Sequence, residues 1–311
     1  VSAALAATLV FRCVQGVFRS AAGGWVAALA LALGTTYWEQ AVLADKYAFN
    51  ALWVALVLAL ALAWGKSRAP GTLSWLALAY GLSLTHHRTM ALFAPPLLGY
   101  VWWHEGAALW QDSRRLAWLG LLCLAPLSIY LYLPWAAARG LPPGTWRPQT
   151  LGGWYAYLFD TGRTGLVYID PHDLGERLLF YGRTLWRDWT PLGVALGLGG
   201  LIAQWRARRA DALFLLASFA LQAFLAANHH VPRHWVYFLP SFVIVALWVG
   251  QGVAALTGHS AVYDNLSVRR GIVVIAPFLL ALLVLAGLAT RWPARYRILR
   301  LSHHGYGVLD P

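Results

Sequence analysis

The chain has 311 residues, of which 59% are hydrophobic and only 12% are charged, and its mean hydropathy is +0.56. This composition excludes a disordered chain and argues against a soluble enzyme, which could not hide so much apolar surface. The net charge of +12 does not indicate nucleic-acid binding, because most basic residues lie in short gaps between apolar runs, as in multi-pass membrane proteins.

Apolar runs follow one another along the chain and predict an all-α, polytopic transmembrane bundle of about ten helices. A helix needs roughly 20 residues to cross the hydrocarbon layer, and several of these runs are shorter. Only helices are credible spans, because lipid cannot satisfy open backbone groups. The predicted segments are, in chain order, 1–11, 24–38, 47–64, 73–84, 89–103, 116–135, 190–205, 211–227, 236–257 and 271–290.

One connection, residues 136–189, is much longer than the others and is expected to lie outside. Its second half, 173–189, predicts an amphipathic helix in the membrane interface, because its apolar residues recur every three or four positions. That stripe consists of Leu174, Leu178, Tyr181, Leu185 and Trp189. Residues 1–290 are expected to form one transmembrane domain, and residues 291–311 to begin an external C-terminal region that is cut off here.

The distribution of Lys and Arg predicts the orientation. The loops on one side carry eleven of these residues, and the short loops on the other side carry three. By the positive-inside rule the first side faces the cytoplasm. The eleven are Arg12, Arg19, Lys66, Arg68, Arg114, Arg115, Arg206, Arg208, Arg209, Arg269 and Arg270. The composition and the start at Val1 lead us to expect a fragment of a bacterial inner-membrane protein whose start lies upstream.

Ionisable residues of the predicted external loops are the candidate site. Fixed cations and hydrogen-bond donors beside aromatic residues are what an anionic, lipid-linked phosphate requires. The alternative is that they are solvated helix ends, and that the Trp-rich stretch 146–189 is an interfacial belt. The candidates are Glu39, Asp45, Lys46, His86, His87, Arg88, His229, His230, Arg233 and His234.

The need for a divalent metal stays open. The adjacent His86 and His87 lack the spacing of two ligands on one helix face. His230 and His234 have that spacing, but Pro232 disfavours a regular helix between them.

Two longer blocks make the chain recognisable. Residues 37–52 read YWEQAVLADKYAFNAL, and residues 81–90 read GLSLTHHRTM. They resemble the W-x-Q-A-V-x-A-E-V-Y-x-L-N-A-L and G-L-x-L-T-N-H-x-T-M signatures of the domain-of-unknown-function 2723 family. That family is also classified as glycosyltransferase family 117, and its animal member is a protein O-mannosyltransferase. Shorter matches at 132–134 and 237–241 follow in the same order, so the resemblance covers roughly residues 25–255.

The resemblance implies a membrane glycosyltransferase of the C superfamily. Such an enzyme transfers a sugar, here expected to be mannose, from a polyprenyl-phosphate donor to a protein or glycan acceptor on the outer face of the bilayer. The implied catalytic carboxylates are Asp45 and Glu39, with Asp45 expected to meet Arg88 or His87. The implied donor-phosphate ligands are His86, His87 and Arg88, and the additional candidates are Asn50, Arg233 and His234.

The chain departs from the family pattern at three points. Asp45 stands where Glu is usual, which keeps the carboxylate, and His86 stands where Asn is usual. The acidic D-x-G-E loop of the family has no counterpart here, so the main catalytic carboxylate is expected upstream of Val1.

Two rival functions remain open at this stage. One is a transporter or flippase of lipid-linked sugars, which should show paired broken helices or an internal repeat, and the sequence shows neither. The other is a non-catalytic membrane scaffold of envelope assembly.

Overall fold

The computed structural model describes residues 1–43, 45–140, 150–159, 172–228 and 234–257. Every regular element in these ranges is a helix, as the composition predicts. The α-helices are α1 (Ser2–Val17), α2 (Ala21–Leu33), α3 (Thr35–Val42), α4 (Lys46–Ser67), α5 (Pro70–His86), α6 (Ala94–Glu105), α7 (Ala107–Gln111), α8 (Ser113–Leu124), α9 (Tyr132–Ala138), α10 (Leu151–Phe159), α11 (Leu174–Ala207), α12 (Arg209–Ala227) and α13 (Leu239–Leu256). Short 3-10 helices form at Arg88–Phe93, Ala125–Leu131 and His234–Phe238.

Helix α13 is the centre of the bundle. All its residues from Leu239 to Ala254 are buried, as expected of a helix that is apolar on every side. Helices α1, α2, α4, α11 and α12 pack around it. Helices α11 and α13 cross at two glycines. A Cβ atom on Gly200 would collide with the Trp248 carbonyl oxygen, and a Cβ atom on Gly252 would collide with the Leu196 carbonyl oxygen. Small residues therefore let α11 and α13 approach backbone to backbone.

Within the residues that the structure describes, four helical segments are long and apolar enough to cross a membrane, which supports a membrane protein. They are Lys46–Ser67, Ser113–Ala138, Arg209–Ala227 and Trp235–Leu256, while α1 and α2 are shorter apolar helices. The total of about ten spans stays a prediction. In Ser113–Ala138, no residue of the most apolar stretch is buried inside the protein. This segment therefore lies at the edge of the bundle.

The apolar segment predicted at 24–38 is divided between two helices. Gly34, with φ −58° and ψ 137°, leaves the helical conformation and separates α2 from α3.

The predicted segment 89–103 contains two kinds of helix. It lies partly in the 3-10 helix Arg88–Phe93 and partly in α6, whose first turn holds Pro95 and Pro96. Proline is tolerated there because the first helical N–H groups need no partner within the helix.

The amphipathic segment predicted at 173–189 is helical and forms the first part of α11. A break at Thr190, with φ 59°, precedes Pro191 and separates it from the predicted span 190–205. Tyr181 and Trp189 of the predicted stripe are buried, whereas Leu178 is 52% exposed. The membrane-interface position of this helix stays a prediction.

Several expectations fall outside the described residues. These are the side chains of His229, His230 and Arg233, the predicted span 271–290, and the tail 291–311.

Basic residues gather at one end of the bundle. Lys66 Nζ donates to the Gly16 carbonyl oxygen, and Arg68 Nη2 donates to the His104 carbonyl oxygen. Arg208 Nε lies 2.7 Å from Asp211 Oδ2. We call this region the distal end. Because α4 rises about 1.5 Å per residue, the distal end lies roughly 30 Å from Lys46 at the start of α4. The cytoplasmic assignment of this end stays a prediction.

Candidate active site

Helix α3 is held at its N-terminus by a carboxylate from a distant part of the chain. The Thr36 N–H donates to Asp188 Oδ2 at 2.8 Å. Arg187 Nε donates to Asp188 Oδ1 at 2.9 Å, and Arg187 Nη2 donates to Thr36 Oγ1 at 3.0 Å. The Asp188 side chain is only 1% exposed. A carboxylate there satisfies a helix N–H that lacks an intrahelical partner and suits the helix dipole, so Asp188 fixes the position of α3.

Glu39 lies on α3, about one turn after Thr36, and is half-buried. Its Oε2 accepts a hydrogen bond from Trp235 Nε1 at 3.3 Å. Trp235 belongs to the His234–Phe238 helix, 196 positions away in sequence. An indole N–H is a neutral donor, so it orients the carboxylate without changing its charge.

The His234–Phe238 helix, which contacts Glu39 through Trp235, also carries Tyr237. Tyr237 lies near His87, one of the predicted histidines. The Tyr237 and Tyr47 hydroxyl oxygens lie 3.4 Å apart. The His87 ring centroid lies 5.9 Å from that of Tyr47 and 6.0 Å from that of Tyr237. We call the region formed by Glu39, Lys46, Tyr47, His87 and Tyr237 the site end.

His87 is buried and held in one orientation. The Thr89 N–H donates to His87 Nδ1 at 3.3 Å, and the Thr89 hydroxyl oxygen lies 2.7 Å from the same nitrogen. Gln222 Nε2 donates to the Thr89 carbonyl oxygen at 3.0 Å, which ties this turn to α12. Because Nδ1 accepts the backbone hydrogen bond, this geometry assigns the proton of the neutral ring to Nε2. His87 thus supplies an oriented N–H donor at the site end.

His86 and Lys46 extend this region toward solvent. His86 Nε2 lies 3.1 Å from the Lys46 carbonyl oxygen, which can only accept, so Nε2 carries the proton. The His86 ring meets the Phe49 ring at a centroid distance of 4.5 Å. Lys46 is exposed, and its Nζ lies 5.5 Å from the centre of the Tyr47 ring. The start of α4 therefore places a cation beside Tyr47 and joins His86 to the site end.

Asp45 is the N-cap residue of α4 and is exposed. Its Oδ1 accepts from the Lys46 N–H at 2.6 Å, which begins the helix. The expected pairing of Asp45 with Arg88 or His87 is not present in the described part of the chain. The reason is local, because the capping turn directs the carboxylate back onto its own helix.

The remaining predicted residues are distributed around this region. Arg88 is exposed and begins the 3-10 helix after His87, while His234 begins the helix that carries Trp235. Asn50 lies on α4, one turn after Lys46, and is buried, with an Oδ1 that has no described hydrogen-bond partner. Among the residues that the structure describes, no group of three or more His, Cys, Asp or Glu side chains could hold a metal ion.

Sequence reasoning missed four residues that build the site. Tyr47 and Tyr237 lie within blocks that resemble the family, so their position in those blocks was the available signal. Trp235 directly precedes Val236 and the second tyrosine but lies outside the matching block. Asp188 lies in a segment whose apolar stripe indicated only a surface helix. No local pattern reports a hydrogen bond across 152 positions.

Comparison with known proteins finds that the sequence is similar to one class of transferases. Residues 6–110 match a family model described as the protein O-mannosyl-transferase TMEM260 N-terminal domain. This range includes the predicted site residues from Glu39 to Arg88. The chain is also 30% identical over 164 residues to protein O-mannosyl-transferase TMEM260 of Mus musculus. The similarity covers 50% of this chain and 23% of the mouse protein, so the chain spans about a quarter of that relative.

Proposed function

We propose that this chain is part of a membrane glycosyltransferase that transfers a sugar, expected to be mannose, from a polyprenyl-phosphate donor to a protein or glycan acceptor. The site end would hold the reacting groups on the outer face of a bacterial inner membrane. The observation that carries the proposal is that the His234–Phe238 helix contacts Glu39 through Trp235 and Tyr47 through Tyr237, and that Tyr47 lies beside His87. One short helix thereby links a carboxylate to a region that holds a histidine. Similarity to a protein named as an O-mannosyl-transferase supports the same reaction class.

The proposed reaction is a displacement at the anomeric carbon. The acceptor hydroxyl oxygen forms a bond to that carbon, and the bond from carbon to the phosphate oxygen breaks. The hydroxyl proton passes to a carboxylate. The resemblance implies that the main one belongs to the D-x-G-E loop of the family, and Glu39 is the oriented carboxylate of the site end. The departing polyprenyl phosphate gains negative charge at its leaving oxygen.

Cationic and N–H groups of the same region suit that leaving group. The exposed Lys46 and Arg88 would supply charge, and His87 would supply a ring N–H group. His86, whose Nε2 proton goes to the Lys46 carbonyl oxygen, is proposed as a further lining residue of the phosphate site. Preorganised donors of this kind stabilise charge that develops in the transition state. Asp45 is proposed as a second carboxylate, whose negative charge would stabilise the positive charge that develops at the anomeric carbon. Asn50, Arg233 and His234 are proposed as further lining residues.

Transfer from a defined donor tests this function. Membranes that contain the protein are incubated with a Ser/Thr-containing acceptor peptide and one of two donors. The labelled mannose is attached to polyprenyl phosphate in one donor and to a nucleotide in the other. We expect label on the peptide from the lipid-linked donor alone. Movement of the intact donor across the bilayer without peptide labelling would favour a flippase, and no donor use at all would favour a scaffold. Either result would contradict the proposal.

The Asp45→Asn variant tests the role of charge at the helix cap. Asn caps a helix about as well as Asp, so folding should be nearly unchanged, while transfer should fall on the order of 10²–10³-fold if the charge acts in the reaction. Asp112→Asn is the matched control, because Asp112 caps α8 by accepting from the Arg115 N–H at 2.9 Å. Equal transfer by the two variants would leave Asp45 as a cap and remove it from the site.

A further inference from the structure

Helix α3, which carries Glu39, has no cap from its own N-cap residue. That residue is Gly34, which has no side chain and makes no side-chain hydrogen bond to the first turn. The helix has only eight residues, so it forms few internal hydrogen bonds and depends on packing for its stability. The position of Glu39 therefore depends on what other parts of the chain do to α3.

Two adjacent residues of α11 hold the first turn of α3. Asp188 Oδ2 accepts from the Thr36 N–H at 2.8 Å, and it lies 3.8 Å from the place that a Cβ atom on Gly34 would take. The carboxylate thus stands beside the N-cap residue, where a capping side chain would act. Arg187 binds the Asp188 Oδ1 with its Nε and the Thr36 Oγ1 with its Nη2.

The place of Asp188 in its own helix is unfavourable. It lies in the last turn before the break at Thr190, where the helix dipole disfavours a carboxylate. The break follows from Pro191, which disfavours the helical conformation in the residue before it. Thr190 has φ 59° and ψ 162°, which strains a β-branched residue. A buried carboxylate and a strained backbone, two positions apart, indicate that this end of α11 is shaped for its contact with α3.

The contact reaches Glu39 through one helical turn. Thr36 and Glu39 are three positions apart, so their side chains are neighbours on one face of α3. Glu39 Oε2 in turn accepts from Trp235 Nε1 at 3.3 Å. A shift of α3 would therefore change how Glu39 meets Trp235. A displacement of about 1 Å in a reacting group can cost on the order of 10²-fold in rate.

We propose that Asp188 and Arg187 form a positioning pair that places Glu39 for the reaction by holding Thr36. Neither residue needs to touch the sugar or the phosphate. This role exceeds that of a helix cap, because it predicts an effect on turnover beyond any effect on folding. It rests on the proposed function for that effect on turnover, whereas the placement of Glu39 can be measured without sugar transfer.

The indole N–H resonance of Trp235 reports the placement of Glu39. The full chain is isotope-labelled at its tryptophan nitrogens in nanodiscs, and the resonance is assigned by its absence in Trp235→Phe. Asp188→Asn keeps the size of the side chain, but its amide has one acceptor oxygen where Asp188 uses two. We expect this variant to move the Trp235 resonance and to lower kcat about 10- to 100-fold with KM near the wild-type value.

Two further variants decide whether the effect comes from this pair. Thr36→Val removes the hydroxyl bond to Arg187 and keeps the Thr36 N–H, so it should move the resonance less, and it decides the matter if Asp188→Asn fails to fold. Tyr181→Phe is the matched control, because it removes a 2.7 Å bond from the same part of α11 to Ser241 on α13. The control should leave the resonance and kcat in place.

The outcomes separate the positioning pair from the proposed function. A Trp235 resonance that stays in place in Asp188→Asn and Thr36→Val, or moves as far in Tyr181→Phe, would overturn the positioning pair. A moved resonance with an unchanged kcat would overturn it as well. If the resonance moves as expected but the wild-type protein transfers no sugar, the proposed function fails while the placement of Glu39 by this pair stands.

Discussion

The two ends of α4 use polar side chains in different ways. At the distal end, Asp211 and Glu105 are each matched by an arginine from the same end. At the site end, Glu39 is held by an indole N–H, and His87 by a backbone N–H and a hydroxyl. The distal-end pairs fix structure, whereas the site end brings a carboxylate, two tyrosines and a histidine into one region. We therefore propose that the chemistry takes place at the site end and that the distal-end pairs contribute to stability.

Apart from the loss of the Glu39 carboxylate, the largest effect on chemistry is expected from His87→Leu. Loss of one oriented donor to a developing charge typically lowers a rate on the order of 10²–10³-fold. The measurement is transfer from polyprenyl-phosphate mannose, normalised to folded protein. Thr89→Val is the milder companion, because it removes the hydroxyl but keeps the Thr89 N–H bond to Nδ1, so its loss should stay below about tenfold. Similar losses in both variants would mean that His87 acts only through packing.

An intermediate effect is expected from Trp235→Phe. This change keeps an aromatic ring but removes the donor to Glu39, and a hydrogen bond to a charged group is worth about 1.5–3 kcal/mol, or about tenfold and more in rate. Trp248→Phe is the control, because it removes an indole bond to Gln204 within the core. The control should lower Tm and keep turnover per folded molecule. If Trp235→Phe lowered Tm alone, its bond to Glu39 would have no catalytic role.

The smallest effect on chemistry is expected from Gly65→Ala near the distal end. Alanine normally stabilises a helix relative to glycine, but a Cβ atom here would collide with the Tyr100 hydroxyl group. We expect a loss of about 1–3 kcal/mol in the free energy of unfolding with unchanged turnover per folded molecule. Gly99→Ala on α6 has open space around the new methyl group and should gain about 0.5–1 kcal/mol. Thermal unfolding compares them, and a stabilised Gly65→Ala protein would contradict the packing.

Local patterns predicted the helical class and several helix starts, but not how the site assembles. The predicted segment 47–64 begins one residue after the start of α4, at Lys46. The break at Gly34 was missed because a single glycine inside a longer segment does not by itself mark the end of a helix. The bond between Glu39 and Trp235 depends on how α3 meets a segment far along the chain. Such contacts depend on how the whole bundle packs, and the spacing of residues within one segment does not predict that packing.

The most direct test of the contrast between the two ends compares Glu39→Gln with Glu105→Gln. Each variant removes one carboxylate charge and keeps nearly the same size, one at the site end and one in the distal pair with Arg115. The measurement is the rate of sugar transfer from polyprenyl-phosphate mannose, divided by the amount of folded protein. We predict a loss of about 10²–10⁴-fold in Glu39→Gln, as expected for a carboxylate that takes part in acid–base catalysis, and a rate near wild type in Glu105→Gln. Equal rates in the two variants would contradict the assignment of the chemistry to the site end.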